Sequence, residues 1–139
     1  MTRAAPTTWA RRLFVGYAVV LALILLNPSA QLPSDGVGLV ERLLLDLGLG
    51  SDLVQGYRVE FVLNVAALVP ISLLGSLIWP HRNWRDWTAA GFVFSMGVEA
   101  VQALLLVERS ATYVDVVANT AGAMIGALAV AAWRAFPIR

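Results

Sequence analysis

The chain has 139 residues, of which 59% are hydrophobic and 14% charged, and its mean hydropathy is +0.74. A soluble domain is nearer half apolar and a quarter charged, so a disordered chain and an ordinary soluble enzyme are both excluded. With no cysteine, one histidine (His81) and a formal net charge of +1, it offers no disulfide, no Cys nucleophile, no thiolate or polyhistidine metal site and no partner for nucleic acid. The main solvent for such a chain is lipid.

A helix needs ~20 mostly apolar residues to cross the hydrocarbon core. Four stretches meet that length: Trp9 to Asn27, closed by Asn27-Pro28; Tyr57 to Trp79, closed by Pro80; Trp87 to Val107; and Thr112 to Phe136, closed by Pro137. The first has the basic-then-apolar order of a signal peptide, with Arg11-Arg12 before the apolar run 13–26. No clear small-x-small site follows it at once, so it is read as a retained anchor. The connection 28–56 opens with Pro28, Pro33 and Gly36. From Val37 it places Val40, Leu43, Leu44 and Leu47 at helical spacing, interrupted by Glu41, Arg42 and Asp46. This is too short and too charged to span. It reads as an amphipathic helix on the outer interface or packed over the end of the bundle.

The expected fold is therefore all-α: an integral bundle of four transmembrane helices, with an amphipathic helix in the external loop between the first two. Residues 1–56 supply the first span and the loop, 57–139 the three-helix core, and together they make one structural unit. Arginine placement sets the orientation. With the N-terminus inside, Arg3, Arg11, Arg12, Arg82, Arg85, Arg134 and Arg139 are cytoplasmic, while Arg42, Arg58 and Arg109 face outward. An N-in, C-in protein of the cytoplasmic membrane follows. Trp79, Trp84 and Trp87 then mark an interfacial belt, and His81 is a solvated link residue.

The informative residues are polar ones inside the spans, because ionisable groups in hydrocarbon are costly. The second span carries Arg58, Glu60 and Asn64, the third Glu99 and Gln102, the fourth Asp115 and Asn119, and Arg109 lies in the link between the last two. The pairs Glu60/Asn64, Glu99/Gln102 and Asp115/Asn119 are three or four residues apart, so each occupies one helix face. At 1.5 Å per residue, Asn64, Glu99 and Asn119 all lie roughly 10–12 Å in from the same end of the bundle. Asp115, Asn119, Gly122 and Gly126 form one stripe ending in a GxxxG, which permits close helix approach. Gly91, Ser95, Glu99 and Gln102 form a similar stripe. Pro70 removes a donor from the second span.

The segment YRVEFVLNVAALVP at 57–70 and the run Ser95, Glu99, Gln102, Arg109, Asp115, Asn119, Gly122, Gly126 resemble the VanZ-like membrane proteins. Thr112 stands where that family usually has an aspartate, and Ile71-Ser72 replaces its glycine after the proline. The resemblance implies a bacterial envelope protein and a link to teicoplanin resistance. It brings no catalytic residues with it.

Three readings of the polar cluster follow. It binds an amphiphile in the outer leaflet, with Arg58 and Arg109 on a phosphate or carboxylate and Glu60, Asn64, Glu99, Gln102, Asp115 and Asn119 on hydroxyls or amides. A lipid-linked cell-wall precursor or a glycopeptide headgroup has that chemistry. Alternatively, it is a structural network that fixes helix register. Or it is an enzyme acting on a lipid headgroup through Glu99 and Asp115, although no nucleophile or metal motif accompanies them. Proton-coupled transport through Glu99 would need a homo-oligomer, since four helices are few for a pathway. Oxygen ligands suit Ca²⁺ or Mg²⁺, but two arginines among them argue against a cation, so neither metal nor cofactor is expected. Membrane lipids are the expected partners.

Overall fold

The structure, a computed structural model, describes residues 8–29, 31–105 and 112–136. Arg3, Glu108, Arg109, Ser110, Pro137 and Arg139 lie outside them. Among the described residues there are five helices and no strand: α1 (Thr8–Leu25), α2 (Gln31–Asp46), α3 (Gly56–Ile78), α4 (Trp84–Leu105) and α5 (Tyr113–Ala135). The α1, α3, α4 and α5 helices are long and apolar enough to cross a membrane. Their described ends fall within three residues of the boundaries expected from hydropathy.

Among the four spans the largest boundary difference, at the start of α4, has a local cause. The α4 helix begins at Trp84 rather than Trp87 because Asn83 caps it. The Asn83 Oδ1 accepts from the backbone N–H groups of Arg85 (2.8 Å) and Asp86 (3.2 Å), and Asp86 Oδ2 accepts from Asn83 N–H (2.9 Å). This reciprocal pairing satisfies the donors that a helix start leaves open. The α2 helix is also longer than expected, starting six residues before Val37, at Gln31. Pro33 falls in its first turn, where a missing N–H costs nothing. The helix ends where Gly48 adopts φ +87° and the Gly48 and Leu49 N–H groups return to the Leu45 and Leu44 carbonyls, the glycine-closed end described for many helices. None of its described residues is buried; Val37, Val40 and Leu44 are half-buried, and Leu39, Leu43, Leu45 and Leu47 are exposed.

The α5 helix is the centre of the bundle, packing most extensively on α3 and then on α4, while α1 and α2 lie against α3. Its core residues are small: Ala118, Gly122, Ala123, Gly126 and Ala127 are all buried. A Cβ on Gly122 would meet the Val65 carbonyl and Leu68, and one on Gly126 would meet Ser72 Oγ and the Val69 carbonyl. The GxxxG stripe thus faces α3 backbone to backbone. On α4, Gly91 gives room to the Ala123 methyl, and on α3 Gly75 receives the Trp87 indole. The outward faces carry large apolar side chains, among them Leu13, Val19, Val20, Leu23, Val62, Phe92, Val93 and Trp133. That distribution, with small residues inside and large ones outside, is the one a lipid solvent selects.

Two backbone carbonyls beside proline interruptions accept from side chains of neighbouring helices. Pro70 deprives the Ala66 carbonyl of its donor, and beside it the Tyr17 hydroxyl of α1 donates to the Ala67 carbonyl at 3.0 Å. The Ser76 carbonyl cannot bond four residues on, because Pro80 has no N–H. Arg134 of α5 donates to it at 2.7 Å. The Arg134–Ser76 bond, the Trp87 indole on Gly75 and the ring contact of Phe14 with Trp79 place the start of α1, the end of α3, the start of α4 and the end of α5 at one end of the bundle.

Candidate functional site

The opposite end holds the polar residues. The Thr112 N-cap, extended at φ −131° and ψ 141°, accepts from Asp115 N–H at 3.2 Å and donates its hydroxyl to Asp115 Oδ2 at 2.7 Å. In the usual reciprocal box the N3 carboxylate would take the cap residue's own N–H. Here that N–H goes to Glu99 Oε2 of α4 at 2.6 Å. Asp115 Oδ1 is left to accept from Asn64 Nδ2 of α3 at 2.5 Å. Asn64, Asp115, Thr112 and Glu99 therefore form one continuous hydrogen-bonded chain across α3, α5 and α4.

One turn deeper, Asn119 donates from Nδ2 to Ser95 Oγ at 3.0 Å, joining α5 to α4. Both residues are buried, Ser95 completely. The Asn119 Oδ1 is buried and has no hydrogen-bond partner among the described residues. An unmet acceptor at such depth is uncommon and calls for an explanation.

Gln102 turns elsewhere. Its Nε2 donates to the Leu25 carbonyl at 2.9 Å, closing the last residue of α1. The Ser29 N–H, which would be that carbonyl's helical donor, is taken by Asn27 Oδ1. Asn64, Gln102 and Asn119 thus all point into protein, but into three different pairings rather than one common centre. Arg58 and Glu60 are exposed on the first turns of α3. The Arg58 Nε bonds the neighbouring Tyr57 hydroxyl at 3.0 Å, its guanidinium lies 5.7 Å from that ring's centroid, and it makes no ion pair among the described residues. Arg109 is not among the described residues. No cluster of three or more His, Cys, Asp or Glu side chains suited to a metal occurs among the described residues.

A family model described as VanZ/LLP1 matches residues 14–134. The chain belongs to the VanZ/LLP1 family. No curated protein and no solved structure matches it. The family match extends over α1 and α2 as well as the three-helix core, although the first 56 residues present no motif recognisable by eye.

Two participants in this VanZ/LLP1 cluster are absent from the set chosen on sequence. Thr112, which on sequence opens the fourth span and departs from the family's aspartate, is the hinge of the hydrogen-bonded chain. Its signal is the Thr-x-x-Asp spacing ahead of an apolar run. Ser95, seen there as part of a small-residue stripe, is the partner of Asn119.

Proposed function

We propose that this VanZ/LLP1 protein is a multi-pass protein of the bacterial cytoplasmic membrane, with both termini inside, that holds the polar headgroup of an amphiphile in the outer leaflet. The ligand class is a lipid-linked cell-wall precursor or a glycopeptide, and the protein contributes through it to teicoplanin resistance. The observation that carries this reading is the chain Asn64–Asp115–Thr112–Glu99. It sets two carboxyl groups at one level across three helices, where acceptors for sugar hydroxyls or peptide amides are needed. The exposed Arg58 and Glu60 form the rim, Arg58 being free to meet a phosphate. Gln102 acts on the site by holding the end of α1 against α4. The unpartnered Asn119 Oδ1 is the deepest acceptor, and Arg109 keeps the anion-binding role assigned from its sequence position.

A structural reading has its own observation in the Gln102–Leu25 bond, which ties α4 to the end of α1. Glu99→Gln separates the two. A glutamine keeps an oxygen for the Thr112 N–H but loses the charge. The expected result is wild-type yield and melting temperature with teicoplanin tolerance and precursor binding abolished. Loss of thermal stability in step with tolerance would establish the structural reading instead. If labelled lipid-linked precursor changes mass on incubation with purified protein, Glu99 and Asp115 are catalytic rather than binding groups.

Orientation has a separate test, made simple by the absence of cysteine. Ser34→Cys is expected to react with an impermeant maleimide in intact cells, and Arg82→Cys only after permeabilisation. Labelling of the Arg82 position in intact cells would reverse the topology.

A further inference from the structure

We infer that the end of the bundle opposite the polar cluster binds an anionic phospholipid in a groove between α1 and the α3–α4 link. Two adjoining depressions, of about 350 and 440 Å³, are both lined by Phe14 and Trp79. Phe14 meets Trp79 edge to face at a centroid distance of 5.3 Å, and Trp79 meets Trp87 at 6.0 Å. Trp87 is in turn seated on Gly75, so this aromatic lining is fixed by the packing of α4 on α3. Both depressions are open to the surroundings, as a groove for part of a longer molecule must be.

Charge identifies the occupant. Arg11 borders the first depression, and His81 and Arg82 the second; all three are exposed. Neither Arg11 nor Arg82 forms an ion pair among the described residues. Nearby on the same end are Arg12 and Arg85, the latter stacked on Trp84 with its guanidinium 5.2 Å from the ring. The single described acid at this end, Asp86, is occupied as an acceptor in the α4 cap. The acids of the described chain otherwise sit at the other end: Glu60, Glu99 and Asp115, with Asp35, Glu41, Asp46 and Asp52 on or beside α2. Two unpaired guanidinium groups at the mouths of an aromatic-lined groove suit a phosphate, which arginine binds bidentately. The groove also opens along the outer face of α1, where Val15 is 59% exposed, so an acyl chain can continue from the headgroup along the helix. A soluble anion would use the arginines and leave that apolar face uncovered; a phospholipid uses both. Basic pockets between transmembrane helices hold lipid headgroups in this manner.

The test uses full-length protein in which Trp9, Trp84 and Trp133 are replaced by Phe, leaving Trp79 and Trp87 as reporters in the groove. The protein is reconstituted with brominated phosphatidylglycerol or brominated phosphatidylcholine, and tryptophan quenching is measured across the lipid ratio. The anionic lipid is expected to be preferred by about tenfold or more, since the two arginines bordering the groove each contribute an electrostatic gain at the headgroup. Arg11→Gln with Arg82→Gln should bring that preference close to unity, whereas Arg12→Gln with Arg85→Gln should preserve most of it. Inorganic phosphate should not relieve the quenching. Equal quenching by the two lipids in the parent protein would overturn the inference, and that comparison needs no arginine variant to fold. So would equal losses in the two double variants, which would mean diffuse surface charge, or competition by inorganic phosphate, which would mean a small-anion site.

Discussion

Gly126→Ala and Gly122→Ala each lower the stability of the detergent-solubilised protein by about 2–3 kcal/mol, the upper part of the range for forcing a methyl group into a packed core. The expectation rests on what the added Cβ meets. At Gly122 it is the Val65 carbonyl, and at Gly126 it is the Val69 carbonyl and the Leu73 nitrogen beside Ser72 Oγ. A side chain can rotate away, but a helix backbone must translate as a unit. Relief therefore requires α3 and α5, the most extensively packed pair, to separate along their whole contact. Gly97→Ala is the control within the same fold. Gly97 is exposed in the middle of α4 with nothing near the Cβ position, so alanine should be neutral or stabilising by about 0.5–1 kcal/mol through helix propensity alone. Thermal unfolding followed by intrinsic fluorescence reads all three. A Gly126→Ala melting curve that overlays the Gly97→Ala curve would show that α3 and α5 are not packed backbone to backbone.

The same stripe shows how far a single sequence reaches. Asp115, Asn119, Gly122 and Gly126 fall on one face by their spacing, and that face is inside. Here the pattern is strong because lipid selects large apolar residues outside and small ones inside, the inverse of the contrast water imposes. The starts of α2 and α4 were less legible. Hydropathy does not register Asn83, since a cap is polar and one residue long. It acts through hydrogen-bond geometry, which leaves no mark on an average over a span. The pairings were least legible of all. Depth and face placed Asn64, Gln102 and Asn119 together, yet the choice of partner depends on which carbonyl or hydroxyl lies within 3 Å. That choice follows from interruptions elsewhere: Asn27 captures the Ser29 N–H, and the Leu25 carbonyl then becomes available to Gln102.

The two ends of the bundle also divide the work in a way neither end shows alone. At the arginine-rich end, Arg134 meets a carbonyl stranded by Pro80. At the acidic end, Gln102 meets one stranded by the turn after α1. In both cases a carbonyl at a helix C-terminus receives a donor from a neighbouring helix, as it must where water is scarce. Polar groups beyond those needed for such repairs are the ones that call for a ligand or a network. At the acidic end they are Asp115, Asn64, Glu99 and Asn119.

Asp115→Ala is the substitution that probes them most directly, with an expected loss of about 2–3 kcal/mol. It removes the acceptor of Asn64 Nδ2 and of the Thr112 hydroxyl together, stranding two donors in a half-buried site. Asp115→Asn keeps one acceptor oxygen and offers an amide donor to Asn64, so its cost should be nearer 1 kcal/mol. Combining Asp115→Ala with Asn64→Ala should cost less than the sum of the two, by about 0.6 kcal/mol, the average for interhelical hydrogen bonds in a membrane, and by at most about 1.7 kcal/mol. Strict additivity would mean that the two side chains are not coupled and that the chain across α3, α5 and α4 does not exist. Arg58→Ala and Glu60→Ala touch none of these bonds and should leave stability within about 0.5 kcal/mol of wild type. If the rim reading is right, they nevertheless weaken ligand binding. Asp115 then reports on how the site is held together, and Arg58 with Glu60 on what it holds. A rim variant that melts early and binds normally would invert those assignments.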